Sequence, residues 1–296
     1  MDYLQAIILG IVQGLTEFIP ISSTAHLVFA SRLTNLHNGD AEKITATIAV
    51  MQLGTLLAVF VYFATEILSI SAAFVRDHWN LLTNKRRMRF SGTHGVRPIW
   101  LSEEAWLGWL IIIGSIPIGV AGLVFKDLIE GAATKNLWVI ATMLVAIAIL
   151  LAFAELVGKR RKEIKDFGLL DAVVVGFAQV LALVPGASRS GSTMMGGLFI
   201  GQKREAAARF SFLLSIPAIT ASGLLQLKEA VVLLAPEDFL PLLAGTIVAG
   251  VVGYLSIWFL LSFLRKNSTA IFIGYRIVLG VIIFVLLWRG VISPQV

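Results

Sequence analysis

Apolar residues run almost unbroken through six stretches, at about residues 45–75, 105–125, 136–157, 206–228, 239–264 and 269–288. Each is long enough for the roughly 20-residue helix that crosses the ~30 Å hydrocarbon core of a bilayer. The runs are continuous rather than alternating at period two, which predicts crossing helices and not a β-barrel. Two further apolar segments are interrupted by polar clusters: Gln13 to His26, reading QGLTEFIPISSTAH, and Gln179 to Thr193, reading QVLALVPGASRSGST. In both, a Gly-x-x-Gln (Gly10 to Gln13, Gly176 to Gln179) leads through apolar residues to a proline, Pro20 or Pro185, and then to hydroxyls. The piece after the first proline is too short to cross, since Ala25 to Leu33 spans only about 14 Å as a helix. The pattern therefore predicts re-entrant helical hairpins over about 3–34 and 168–201. Broken backbone of this kind is tolerated at depth only inside protein or around a wet cavity.

Composition agrees with this reading. The chain of 296 residues is 57% hydrophobic and only 14% charged, with a mean hydropathy of +0.87. That predicts an all-α integral membrane protein forming one polytopic domain over 1–296, with six transmembrane helices and two re-entrant hairpins. The start, Met1-Asp2-Tyr3, lacks the basic region of a cleavable leader. No cysteine is present, which excludes disulfides, thiolate catalysis and Cys-ligated metals. The net charge of +6 reads as basic loops beside anionic lipid rather than as a nucleic-acid surface.

With six crossings and two hairpins, one face collects Arg76, Lys85, Arg86, Arg87, Arg89, Arg97, Lys159 to Lys162, Lys165, Lys203, Arg204, Arg209, Arg265 and Lys266. The other holds only Lys43, Lys126, Lys135, Lys228 and Arg289, mixed with acidic residues. The positive-inside rule makes the first face cytoplasmic. The first hairpin then enters from outside and the second from the cytoplasm, as an inverted-topology repeat predicts, with the two tips meeting near the midplane.

The tips carry the chemistry. Gln13 and Glu17, four apart on a helix, share a face and offer oxygen ligands for a hard cation, Mg2+ or Ca2+. Ser23 and His26, three apart after the Pro20 break, have the spacing of a nucleophile and its general base. Hydroxyls at such a place also serve as N-caps. At the second tip, Gly186, Ser188, Arg189, Ser190 and Thr193 open a helix whose free amides and dipole favour an anion, and Ser22 adds a hydroxyl from the first tip. Arg189 presents the planar fork that suits phosphate. Arg276, inside the last apolar stretch, reads equally as a snorkelling residue or as one that pairs with a carboxylate or approaches the site. Pro117 and Pro217 predict helix kinks, His37, His78 and His94 fall in predicted loops, and Trp79, Trp100 and Trp288 read as interfacial anchors.

The Gln13-to-Glu17 spacing and the run Pro185 to Thr193 (Pro-Gly-x-Ser-Arg-Ser-x-x-Thr) resemble the two signatures of the undecaprenyl-diphosphate phosphatases of the bacitracin-resistance type. The likeness of layout covers essentially the whole chain. It implies a bacterial plasma-membrane enzyme that hydrolyses undecaprenyl diphosphate to undecaprenyl phosphate, with Mg2+ or Ca2+, and so recycles the lipid carrier of peptidoglycan synthesis. Its essential groups would be Glu17, Ser23, His26, Ser188 and Arg189. The first position of the first signature is Gln13 here, where the family pattern admits Glu or Gln. Partners would be the lipid substrate, membrane lipid and a second copy of the chain, with no nucleic acid. The outward entry of the first hairpin places the site on the extracytoplasmic side. A transporter or lipid flippase is the alternative expectation, because inverted repeats and broken helices are common to transporters.

Overall fold

The structure, a computed structural model, describes residues 1–83, 98, 100–125 and 136–295, and of Glu229 the backbone alone. The basic run from Lys85 to Arg97, His94, and the charged positions Lys126 and Lys135 lie outside the described residues. Within them the chain folds into eleven α-helices: α1 (Tyr3–Phe18), α2 (Ser23–Leu33), α3 (Ala41–Tyr62), α4 (Ala64–Leu82), α5 (Glu103–Val124), α6 (Leu137–Val157), α7 (Leu169–Val180), α8 (Arg189–Phe199), α9 (Arg204–Leu233), α10 (Phe239–Leu264) and α11 (Ala270–Trp288). Six of them, α3, α5, α6, α9, α10 and α11, are long and apolar enough to cross a membrane. Large apolar side chains such as Leu57, Val120, Phe153, Val251 and Val278 are more than half exposed on the outside of the bundle. In a lipid solvent this is their low-energy position.

The expected crossing at 45–75 is two helices. The chain breaks at Phe63, and α4 carries Glu66, Arg76 and Asp77 among its apolar residues and is not one of the six. His78, expected in a loop, lies within α4, where its Nδ1 bonds the Phe74 carbonyl at 2.7 Å and its Nε2 accepts from Trp109 Nε1 at 3.1 Å. Pro117 and Pro217 sit inside α5 and α9.

Both segments with a proline are helix-break-helix units. Asp2 caps α1 by accepting from the Gln5 amide, and Gln5 answers with its side chain to the Asp2 amide. That helix ends at Ile19, held extended (ψ 134°) by the proline that follows. In the second unit α7 tightens into a 3₁₀ turn, Leu181–Leu183, and ends at the extended Val184 before Pro185. The entering helices dock on opposite parts of the bundle: α1 lies along α10, and α7 along α5. Their glycines make this possible. A β-carbon at Gly10 would stand 2.3 Å from the Gly245 carbonyl oxygen, and one at Gly176 would stand 2.6 Å from that of Gly114. Elsewhere α6 packs on α11, and α3 on α9 and α10.

Candidate functional site

After each break the chain restarts a helix on a serine with a left-handed backbone, Ser22 (φ +76°) before α2 and Ser188 (φ +68°) before α8. Such a conformation costs a non-glycine residue about 1–3 kcal/mol and persists where the surroundings demand it. Each serine hydroxyl accepts from the third amide of its helix, Ser22 from Ala25 and Ser188 from Gly191. The serine is also the register mark that the prolines obscure: Gln13 precedes Ser22 by nine residues and Gln179 precedes Ser188 by nine, although the proline-to-serine distances differ by one. At the second tip Gly186 has φ +94°, and a β-carbon there would lie 2.4 Å from the Ile140 carbonyl oxygen, so only glycine fits.

The two tips meet. Arg189 Nη2 donates to Glu17 Oε1 at 2.8 Å, both side chains being largely buried (13% and 6% exposed). The other carboxylate oxygen, Oε2, accepts from Gln13 Nε2 at 3.1 Å. Gln13 and Glu17 therefore share a face as their spacing requires, but the carboxylate is shared between an amide and a guanidinium. Five buried side-chain atoms of these segments have no hydrogen-bond partner: Gln13 Oε1, Gln179 Oε1 and Nε2, Arg189 Nη1 and Ser192 Oγ. Buried polar atoms are rarely left unpaired, so these are atoms that a polar ligand or water would satisfy. The first-turn amides of Ser23, Thr24, Arg189 and Ser190 add unpaired donors among the described residues.

His26 differs from its expected arrangement. Its Nδ1 lies 2.7 Å from the Ser22 carbonyl oxygen, and a carbonyl only accepts, so the ring proton sits on Nδ1. Nε2 then accepts from the Tyr275 hydroxyl at 2.6 Å, with the two rings stacked 5.6 Å apart. Both nitrogens are occupied, and the predicted Ser23–His26 hydrogen bond is not formed. The Ser23 hydroxyl has no partner among the described residues and faces a cavity of about 680 Å³. That cavity reaches from Ser23, Thr24 and Pro185 along Leu27, Val28, Ile44 and Ile48 to Arg32 and Asn35.

The remaining expected anion ligands separate. Ser188 Oγ and Ser190 Oγ lie 3.2 Å apart and serve the loop itself. Thr193 turns away from the tip: fully buried, it donates to the Arg189 carbonyl at 2.8 Å, and its Oγ1 shares a 2.6 Å hydrogen bond with Ser211 Oγ. Its hydroxyl is spent on fastening α8 to α9, because a threonine in the second helical turn reaches back to the i−4 carbonyl. Two residues of α11 that carried no clear signal belong to the site: Tyr275 on His26, and Arg276, which is fully buried and bonds carbonyls of both tips.

A family model described as bacitracin resistance protein BacA matches residues 6–282. A protein of Syntrophobacter fumaroxidans named undecaprenyl-diphosphatase is 51% identical over 281 residues, covering 95% of each chain. Proteins of the same name from Chlorobaculum parvum and Mycolicibacterium smegmatis are 44% and 43% identical, over 99% and 100% of this chain and all of theirs.

Proposed function

The chain belongs to the bacitracin resistance protein BacA family, and from this and its site we propose that it hydrolyses undecaprenyl diphosphate to undecaprenyl phosphate and inorganic phosphate. The observation that carries the reading is the junction of the tips, where the N-termini of α2 and α8 converge with Arg189 and Arg276 against one carboxylate, Glu17. Two guanidinium charges and two positive helix ends outweigh one negative charge, so the junction attracts an anion. Diphosphate oxygens match the unpaired donors: Arg189 Nη1 and the amides that open α2 and α8. Preorganised donors of this kind supply most of the stabilisation that a phosphoryl transfer needs.

Ser23, at the start of α2 and facing the cavity, attacks the terminal phosphorus. An Oγ–P bond forms, the bridging P–O bond breaks with release of undecaprenyl phosphate, and the serine proton passes to His26 Nε2 once Tyr275 has given way. Water then cleaves the phosphoserine. The apolar wall of Leu27, Val28, Ile44 and Ile48 suits a prenyl tail above the reacting phosphate. A divalent cation, Mg2+ or Ca2+, fits the donor chemistry, since Gln13 Oε1 is a buried oxygen with no partner beside the Glu17 carboxylate. Gln13 and Glu17 would hold it, and when bound it would offset phosphoryl charge. The two helix-break-helix units are re-entrant hairpins of an inverted repeat, a reading supported by the equal Gly-Gln-Ser spacing and by the matching glycine contacts of α1 and α7. In the plasma membrane the cavity opens to the extracytoplasmic side. The alternative of a transporter or flippase is not favoured, as the relatives are named for hydrolysis.

Purified chain releasing inorganic phosphate from a C55 diphosphate, with release abolished in Arg189→Ala, is the outcome expected. Absence of release from folded protein would overturn the reading.

A further inference from the structure

We infer that Arg276 is a positioning residue of this site: a buried fork that grips both tips at the same place and sets a fixed positive charge behind the diphosphate. The inference rests on the hydrolase reading above. Arg276 is the largest fully buried side chain among the described residues, at 0% exposure. Its Nε donates to the Leu144 carbonyl at 3.2 Å, Nη1 to Pro20 at 3.2 Å, and Nη2 to Met143, Gly186 and Ala187 at 3.2, 3.1 and 3.0 Å. These carbonyls come from three separate parts of the chain: the first tip, the second tip and α6. Pro20 and Gly186 each stand two residues before the serine cap, Ser22 or Ser188, so one planar group holds equivalent carbonyls of the two units.

Two features exceed what structural packing needs. Arg276 has no carboxylate within ion-pair distance among the described residues, so its charge is solvated by dipoles and not neutralised. A buried cation of this kind is costly, and it is tolerable where a bound anion completes the balance. The charge also lies under the first turn of α8. A β-carbon on Gly191 would come within 3.1 Å of Arg276 Nη1, which leaves room for glycine there. A guanidinium beneath the positive end of a helix raises the local potential instead of relieving it. The same group therefore fixes the spacing of the tips and adds to the field that a diphosphate experiences.

Lysine retains the charge but cannot span these carbonyls, and misplacement of reacting groups by ~1 Å costs about 100-fold in rate. In purified protein Arg276→Lys is expected to lower kcat about 10-fold or more with KM changed less than about threefold, and Arg276→Met to lower kcat about 100-fold. The chain has no cysteine, so spin labels on Leu15→Cys and Phe177→Cys, exposed positions on α1 and α7, report the spacing of the two units without substrate. One narrow distance in the parent should broaden in both Arg276 variants. Turnover of a C55 diphosphate by the parent tests the hydrolase reading, and the label distance tests the clamp independently. Parental kcat in either variant, or lost activity with an unchanged distance distribution, would overturn the inference. If Arg276→Met fails to fold, Arg276→Lys decides.

Discussion

Arg189 donates to Glu17 across 172 residues of sequence and 2.8 Å of space. No other ion pair in the described chain joins the two tips. Removing one partner leaves the other as a buried charge without a counter-ion, which typically costs about 3–5 kcal/mol. Glu17→Ala and Arg189→Ala are each expected to lose at least about 100-fold in phosphate release, the scale of a lost charge-stabilising group. The double variant should lose much less than the product of the two, because its members act on one another. Initial rates and thermal midpoints of the four proteins form the cycle. Additive losses would mean that the pair is not a functional unit.

Tyr275 donates to His26 Nε2 at 2.6 Å, which fixes the orientation of the imidazole while occupying the lone pair that must later receive a proton. Tyr275→Phe keeps the stacked ring and deletes the hydroxyl. A fall in kcat of about 10-fold with thermal stability within about 1 kcal/mol of the parent is expected, consistent with a single neutral hydrogen bond. Unchanged kcat would assign the tyrosine to packing alone.

The two helix-break-helix units were legible from sequence because a pre-proline residue must leave the helix and hydroxyls gather at the new N-terminus. Glu17, Arg189 and their approach followed from the same logic. Arg276 and Tyr275 were not legible: the partners of Arg276 are backbone carbonyls, which leave no mark in a sequence, and one arginine in an apolar helix reads equally as snorkelling. The Ser23–His26 hydrogen bond does not form, for a local reason. A histidine four residues into a new helix finds the i−4 carbonyl of Ser22 closer than the Ser23 hydroxyl. The division at Phe63 was hidden because α3 and α4 are both apolar across the junction.

Gly10 and Gly176 occupy matching positions and make matching approaches, to Gly245 and Gly114. Neither backbone oxygen can move aside as a flexible side chain would. Gly10→Ala and Gly176→Ala are each expected to destabilise the fold by about 1–3 kcal/mol, the usual range for overpacking, as measured by thermal unfolding in detergent. Similar losses would accord with the paired docking of α1 and α7. A neutral result at either position would show that this crossing relaxes.

Ser23 faces the cavity with an unpartnered hydroxyl, whereas Ser22 and Ser188 are committed to their helices as caps. Ser23→Ala should therefore lower turnover about 1,000-fold or more without loss of fold, and rapid quench of the parent should trap phosphate on Ser23. Ser22→Ala and Ser188→Ala should lower thermal stability, each by about 1 kcal/mol for the lost cap. Near-parental turnover in Ser23→Ala would exclude covalent attack and leave activated water as the nucleophile.

The amide oxygen of Gln13 is buried, unpaired and next to a carboxylate whose own oxygens already accept from Gln13 Nε2 and Arg189. A divalent cation held there competes with those two contacts, so its affinity should respond to the charge at position 13. EDTA is expected to abolish phosphate release, and Mg2+ or Ca2+ to restore it. Gln13→Ala should raise the half-saturating cation concentration about 10-fold or more, the scale of a lost ligand or orienting partner, and Gln13→Glu should lower it, because a second carboxylate favours a hard cation. Direct titration of cation binding by calorimetry separates this from any effect on catalysis. Identical cation dependence in the parent, Gln13→Ala and Gln13→Glu would place the metal elsewhere in the site.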